Sequence, residues 1–474
     1  MNYYLPLQRR AGKAQPFMFA TGIENSYPMI VGKDGQPFRV DEMSKTDHYR
    51  RWREDFALTS EMGIDYLRYG PPYYQTHVAP GVYDWTFSDE VFAELRRLNI
   101  TPIVDLCHFG VPEWIGNFQN PAWPAYFAEY ARAFAERYPY LHLYTPVNEI
   151  YICAKFSALH GWWNERKSDD RSFVTALKHL VQANIMAEEA ILAVQPTAYF
   201  IQSESVEYFH PTTPDPHVQE LAEKLNQIRF LSLDLSYGYH GVGQIAYDYL
   251  LENGVSRSEY QWFMAHGRAL RPHQIMGTDY YASNEHMVDM DGVISPAWDT
   301  FGYYLVTKDY YDRYRLPVMH TETNYCDVDQ APGWLWKQWR NTMKLRADGV
   351  PMVGFTWYSL IDQVDWDSAL THDDGHVIPL GLYDMDRQLR PVGVAYRRLI
   401  EQWQAMLPAE HSHLDLHAPL PLLAASAKPL PQPVGRGFLC QNGTDRLGHR
   451  LPSPPLCAKI TLSVCPPCVQ RSNH

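Results

Sequence analysis

Two glutamates, Glu149 in TPVNEI and Glu322 in MHTETNY, each end an apolar run of strand character, HLYTPVN and LPVMHT. Carboxyl groups that face each other across a barrel mouth can divide one reaction between them. One protonates a leaving oxygen while the other, about 5 to 5.5 Å away, attacks the carbon that loses it. Neither glutamate is informative alone, because a carboxylate at a strand tip serves equally well in a structural ion pair. The chemistry depends on elements that bring both to one rim.

Those elements are legible as alternating strand and helix signals. Strands are expected at Phe17 to Ile23, Ile64 to Tyr69, Thr101 to Cys107, Leu141 to Val147, Thr197 to Gln202, Gln274 to Tyr281, Leu316 to Thr321 and Met352 to Tyr358. Between them, Asp47 to Met62, Trp123 to Arg137, Phe173 to Val194, Trp334 to Ala347 and Val392 to Met406 carry apolar residues at helical spacing. The alternation predicts an α/β fold, a single-domain (β/α)8 TIM barrel with loop insertions over residues 1–408 and its site at the strand C-termini. From 409 the chain loses periodicity, becomes rich in Pro and later Cys, and is read as a non-barrel tail, 409–474, disordered or appended in expression.

Composition narrows the function. With 41 Lys and Arg against 54 Asp and Glu, the net charge is −13, and no basic stripe follows a phosphate backbone, so nucleic acid is not an expected partner. No run of about 18 apolar residues spans a membrane and the first residues lack the apolar core of a signal peptide. A soluble, cytoplasmic protein is expected, with no membrane partner and with Cys107, Cys153 and Cys326 as reduced thiols. Sugars stack their CH faces on rings, and 14 Trp, 33 Tyr and 19 Phe offer many, although large α/β proteins bury aromatics in any case. Cys465 and Cys468 lack a second ligand pair for zinc. His372-Asp-Asp-Gly-His376 reads as a solvated loop before a cation site, and Gly238-Tyr-His-Gly241-Val-Gly243 lacks the context of a dinucleotide loop. No metal and no cofactor are expected.

The neighbours of the two glutamates carry a resemblance. Asn148-Glu149 after a strand and Glu322 at the end of the seventh are similar to the acid/base and nucleophile segments of glycoside hydrolase family 1, the β-glucosidases and β-galactosidases. DHYRRWREDFALTSEMGIDYLRYG (47–70), ITPIVDLCHFGVPEWI (100–115) and GFTWYSLIDQVDW (354–366) look like further segments of that family, in order, across residues 17 to 406. The resemblance implies a retaining β-glycosidase, β-glucosidase-like, that hydrolyses terminal β-linked sugars of small glycosides or oligosaccharides through a glycosyl-enzyme intermediate. By position, Glu149 would be the acid/base, Glu322 the nucleophile, and Asn148 a partner of the sugar 2-hydroxyl. Arg68 would keep Glu322 ionised, Tyr281 would hydrogen-bond it, and His108 would contact sugar hydroxyls.

Departures from the family cluster where the sugar is read. The eighth strand ends Trp357-Tyr358-Ser359 where the family has Trp-Ser, so either ring can be the platform under the sugar. The family's outer-hydroxyl Glu is Asp365 here, beside a retained Trp366; Asp279 replaces an Asn; Ile150 replaces a Pro. The first-strand Gln has no clean counterpart, and Glu24 or Asn25 stands in for it. No Ser and Lys-Tyr set follows Trp366 to hold a phosphorylated sugar. Other members of the clan (a β-galactosidase, a β-fucosidase, an endo-glycanase) and an inactive sugar-binding barrel share the same frame. The sequence does not separate them, and it leaves oligomeric state open.

Overall fold

The computed structural model describes residues 17–239, 243–404 and 406–407. The Pro- and Cys-rich tail and the centre of the 238–243 string lie outside the described residues. Eight strands close a parallel barrel: β1 (Met18–Ile23), β2 (Tyr66–Tyr69), β3 (Thr101–Asp105), β4 (Leu143–Thr145), β5 (Tyr199–Gln202), β6 (Gln274–Asp279), β7 (Val318–Glu322) and β8 (Met352–Trp357). Each pairs with its sequence neighbours, and β1 pairs with β8 through Met18 and Gly354. Every expected strand is present, most of them shortened by up to two residues at an end, while β7 runs one residue past the expected Thr321 to Glu322. Extra strands lie in the loops; the set that matters here is a three-stranded sheet of Tyr208–Pro211, Glu285–Val288 and Ile294–Pro296.

Side chains of a strand alternate between two faces, and the barrel uses both. Met18, Ala20, Tyr66, Ile103, Leu143, Ile201, Ile275 and Met319 fill its interior as one buried cluster. Their sequence neighbours, among them Phe19, Leu67, Val104, Tyr144 and Phe200, face outward into the larger core shared with the helices. The helices supply matching stripes. His48–Glu61 buries His48, Trp52, Asp55, Phe56 and Thr59, spaced to fall on one face. Asp170–Leu192, begun by the Asp169 side chain accepting the Ser172 amide, packs along Trp123–Arg137.

Cys107 and Cys153 are free and buried, but Cys326 is disulfide-bonded, which corrects the expectation of three reduced thiols. Wide spacing in sequence does not report which cysteines meet in space. No helix among the described residues is long and apolar enough to cross a membrane.

Candidate active site

The alternation that fills the barrel also builds the site. Two residues beyond Tyr66 and Ile103, and four beyond Ile275, on the inward face come Arg68, Asp105 and Asp279, so the apolar plug is capped by a charged layer at the strand C-termini. Glu322 is the last residue of β7. Glu149 sits just past β4 as the N-cap of a short helix, Ile150–Ala154, with a left-handed φ of 39°. That conformation disfavours a residue with a Cβ, and three contacts hold it. The Asn148 amide donates to Cys107 O, the Glu149 amide donates to Ser203 O, and Glu149 O accepts from Cys153 N at 2.8 Å.

Arg68 is the hub. Its guanidinium ion-pairs with Glu322 and donates to Asp105 Oδ2 at 3.1 Å and to Asn148 Oδ1 at 2.7 Å. The second oxygen of Glu322 accepts the Tyr281 hydroxyl at 2.6 Å. Asp105 Oδ2 also binds His108 Nδ1 at 2.8 Å, and His108 Nε2 lies 3.2 Å from Asn148 Nδ2 and 3.6 Å from Glu24. Glu24 in turn accepts from Ser26 and, at 2.6 Å, from the Gln363 amide. Asp279 accepts the Ser203 hydroxyl, 2.8 and 2.7 Å from its two oxygens.

One guanidinium cannot balance this many buried carboxyls, and several are pushed towards the neutral form. Burial raises Glu149 well above the usual carboxylate range, and the negative charges of Asp279, Glu322 and Glu204 add to it. Asp279 is pushed up to about 8 by burial and by Glu322, and burial takes Glu204 to about 8. Burial raises Glu24 as well, against the pull of His108. For His108 burial acts downward, but Asp105 and Glu24 outweigh it and the imidazole rises to about 9.

Oxygens of Glu149, Asp279 and Glu322 all come within 4.8 Å of one another. A pair this close fits the short separation of carboxyls that act on one carbon from two sides. It is too close for the intervening water of an inverting pair, which needs about 6.5–9.5 Å. Three such carboxyls could also hold a cation, and Arg68 already brings a fixed positive charge to Glu322.

The cavity above this layer measures ≈ 200 Å³, and Glu149, Glu322, Glu24, His108, Tyr281, Tyr358 and Trp366 all reach its wall. Arg68, Asn148 and Asp279 lie beneath it and bond to groups that do. Two expected contacts are not brought in. Trp357 faces outward into the helix-side core, where its indole donates to Leu380 O, so Tyr358 is the ring at the mouth. Gly22 makes room for that ring, since a Cβ there would come 2.0 Å from Tyr358 Cε2. Asp365 is held away from the cavity by Lys45 at 2.7 Å and by the amides of Gly375 and His376. Asn25, the alternative to Glu24, packs against Gly70. In the His372–His376 loop, Asp373 and Asp374 pair with Lys45 and Lys33.

Residues the sequence reading passed over also line or brace the cavity. Gln363, two residues before the Asp365 that was favoured, holds Glu24. Asp105 joins Arg68 to His108, and its signal was an acidic strand tip three residues before that histidine. Lys155 and Glu207 form a buried ion pair on the opposite wall.

Residues 40–238 match the profile of Glycosyl hydrolase family 1. The chain is a glycoside hydrolase, similar over those residues to that family. Among the hydrolase's relatives is the 6-phospho-beta-glucosidase AscB of Escherichia coli, 24% identical over 367 residues, which are 67% of this chain and 76% of the relative. Beta-glucosidase A of Thermotoga maritima is 22% identical over 362 residues, 68% of this chain and 79% of the relative. Among solved structures, the beta-glucosidase from Thermotoga maritima in complex with deoxynojirimycin superposes with a TM-score of 0.67 at 18% identity. The match covers 82% of this chain and 99% of that one, a likeness of fold.

Proposed function

We propose that this glycoside hydrolase is a retaining, β-glucosidase-like enzyme acting on terminal β-linked sugars, with Glu149 as acid/base and Glu322 as nucleophile. The observation that carries the reading is the unequal treatment of two carboxyls whose oxygens lie within 4.8 Å. Burial and neighbouring acids keep a proton on Glu149, while Glu322 faces the Arg68 guanidinium and the Tyr281 hydroxyl. Of the two, the carboxyl that burial keeps protonated is the acid, and the one paired with the guanidinium is the nucleophile.

In the first step Glu322 attacks the anomeric carbon, the glycosidic C–O bond breaks, and the leaving oxygen takes the Glu149 proton. Ester formation removes the negative charge of Glu322, which is one cause of the raised Glu149. Glu149, now ionised, takes a proton from water as its oxygen attacks the same carbon, and Glu322 leaves as a carboxylate. Arg68 and Tyr281 stabilise that returning charge. Glu24, Gln363, His108 and Tyr358 form the polar and aromatic end of the cavity suited to a hydroxylated ring. Trp366 borders the same cavity.

Several relatives carry phospho-glucosidase names. An anionic sugar is disfavoured here because Glu24 and Asp367 line the cavity and Lys45 is taken up by Asp365 and Asp373. A cytoplasmic location belongs to this reading; the free thiols of Cys107 and Cys153 favour it, the disulfide-bonded Cys326 opposes it, and fractionating cells that express the full chain decides. The test of the function is a panel of aryl β-glycosides with wild type, Glu149→Ala and Glu322→Ala. Wild type should cleave β-glucosides and both variants should fall by orders of magnitude. Azide should rescue Glu322→Ala with an α-glycosyl azide as product. A wild type that binds sugars but cleaves none of the panel would refute the assignment.

A further inference from the structure

Asp105 ends β3 and turns a single carboxylate oxygen to two donors of the site. Oδ2 accepts from Arg68 Nη2 at 3.1 Å and lies 2.8 Å from His108 Nδ1. Oδ1 is buried and has no hydrogen-bond partner among the described residues. A buried oxygen left unmet costs stability, and both groups that Asp105 does hold belong to the charged layer. As a brace for the fold alone, Asp105 is a poor choice.

Its two partners face different parts of a substrate. Arg68 extends the other way to Glu322, the group that attacks the anomeric carbon. His108 reaches the cavity wall between Asn148, the neighbour of Glu149, and Glu24. A sugar ring with its anomeric carbon at Glu149 and Glu322 turns the next carbons, C2 and C3, towards that stretch of wall.

The second ring nitrogen of His108 decides what is read there. Asn148 Oδ1 accepts from Arg68 at 2.7 Å, which turns the amide Nδ2 to His108 Nε2 at 3.2 Å. That amide can donate only to a neutral imidazole. Burial opposes a charge on the ring, but Asp105, Glu24 and Glu322 outweigh it and raise the imidazole to about 9. Nε2 then carries a hydrogen that Asn148 cannot accept, and Glu24, at 3.6 Å, is beyond hydrogen-bond length. A hydroxyl oxygen of the sugar supplies the missing acceptor.

We propose that Asp105 is a positioning residue for the double displacement, the anchor that presents His108 Nε2–H to the C2–C3 edge of the sugar while it steers Arg68 onto the nucleophile. The proposal rests on the retaining β-glycosidase reading and adds a residue to it. Because one oxygen serves both partners, the donor that reads the sugar and the cation that holds Glu322 are set by the same atom. Asp105→Asn removes the charge that keeps the ring cationic. The neutral ring then accepts from Asn148, and the donor towards the sugar is lost.

The test compares wild type and Asp105→Asn on 4-nitrophenyl β-glucoside and on its 2-deoxy, 3-deoxy and 6-deoxy analogues. For each protein the readout is the ratio of kcat/KM on the parent to kcat/KM on each analogue, so the fraction of folded enzyme cancels. Asp105→Asn should lower kcat/KM on the parent by about tenfold or more, the scale of losing a hydrogen bond from a charged group. The parent-to-analogue ratio should fall by about fivefold or more at the 2- or the 3-position, where the donor is already gone, and hold at the 6-position, on the opposite edge of the ring. A smaller fall at both positions, or an equal fall at the 6-position, overturns the proposal, because a brace for the fold would treat the analogues alike. If Asp105→Asn does not fold, Asp105→Ser is measured in the same way. If wild type cleaves no β-glucoside the retaining reading fails, and calorimetry with methyl β-glucoside and its 2- and 3-deoxy analogues then decides the role of Asp105. A ratio of Kd values that shifts by about fivefold at either position in the variant supports it, and unchanged ratios overturn it.

Discussion

Tyr281→Phe isolates one hydrogen bond to the nucleophile and predicts which half of the reaction it serves. The hydroxyl donates to Glu322 Oε2 at 2.6 Å, in the short range of O–H···O⁻ bonds, while Arg68 holds the other oxygen independently. Hydrogen bonds to a charged group contribute about 1.5–3 kcal/mol. In the intermediate Glu322 is an ester, and its charge returns only as water displaces it, so the lost donor slows deglycosylation. The free enzyme loses the same bond before the first step, so glycosylation suffers less. A barrier raised by about 1.5–3 kcal/mol slows the second step by about 10- to 150-fold, the upper end requiring full charge development. The glycosyl-enzyme then accumulates. Stopped-flow with 2,4-dinitrophenyl β-glucoside should record a burst of phenolate close to one per site, and the steady state should have kcat and KM lowered together. A kcat within about twofold of wild type with no burst would refute the reasoning.

Three further outcomes follow from the same layer of carboxyls. Glu149 must be protonated to act as acid, so kcat/KM falls on the alkaline side as it ionises; Asp279→Asn removes a neighbouring negative charge and should move that limb to lower pH, an unmoved limb counting against the role given to Asp279. Asp279 and Glu204 both rise to about 8 from ordinary carboxyl values of 3.8 and 4.5, so the folded state holds protons that the unfolded chain releases. Their contribution to stability is full below those lower values and is lost as pH rises towards about 8, so the urea midpoint should be lower at pH 8 than at pH 5.5, and Asp279→Asn should flatten the trend. At the sugar end, Glu24→Gln should reduce kcat/KM on β-glucosides by about tenfold or more, and adding Gln363→Glu should restore part of it, because the carboxylate and amide then exchange places across one contact. A double variant no better than the single would contradict that pairing.

Much of the barrel was readable because inward and outward positions of its strands are both apolar and turn signals separate them. The two glutamates were readable for a related reason: a carboxylate directly after Leu-Tyr-Thr-Pro-Val-Asn or Val-Met-His-Thr stands where the strand reaches the mouth. What escaped was decided by orientation and by partners far away in sequence. Trp357 and Tyr358 are adjacent rings, and alternation sends one to each face, but the sequence does not say which one is inward; Gly22, on a strand more than three hundred residues earlier, provides the space for Tyr358. Asp365 looked like the shortened form of an expected Glu, yet Lys45 claims it, and the position facing Glu24 belongs to Gln363. Lys155 and Glu207 left no periodic trace, since a π-helical turn and a loop strand bring them together.

The most direct test of the central claim is covalent capture of the intermediate. A 2-deoxy-2-fluoro β-glucoside with an activated leaving group should inactivate the enzyme with one label per chain. Proteolysis and mass spectrometry should locate that label on Glu322, in the peptide that contains MHTETNY. A label on Glu149 or Asp279 would contradict the account.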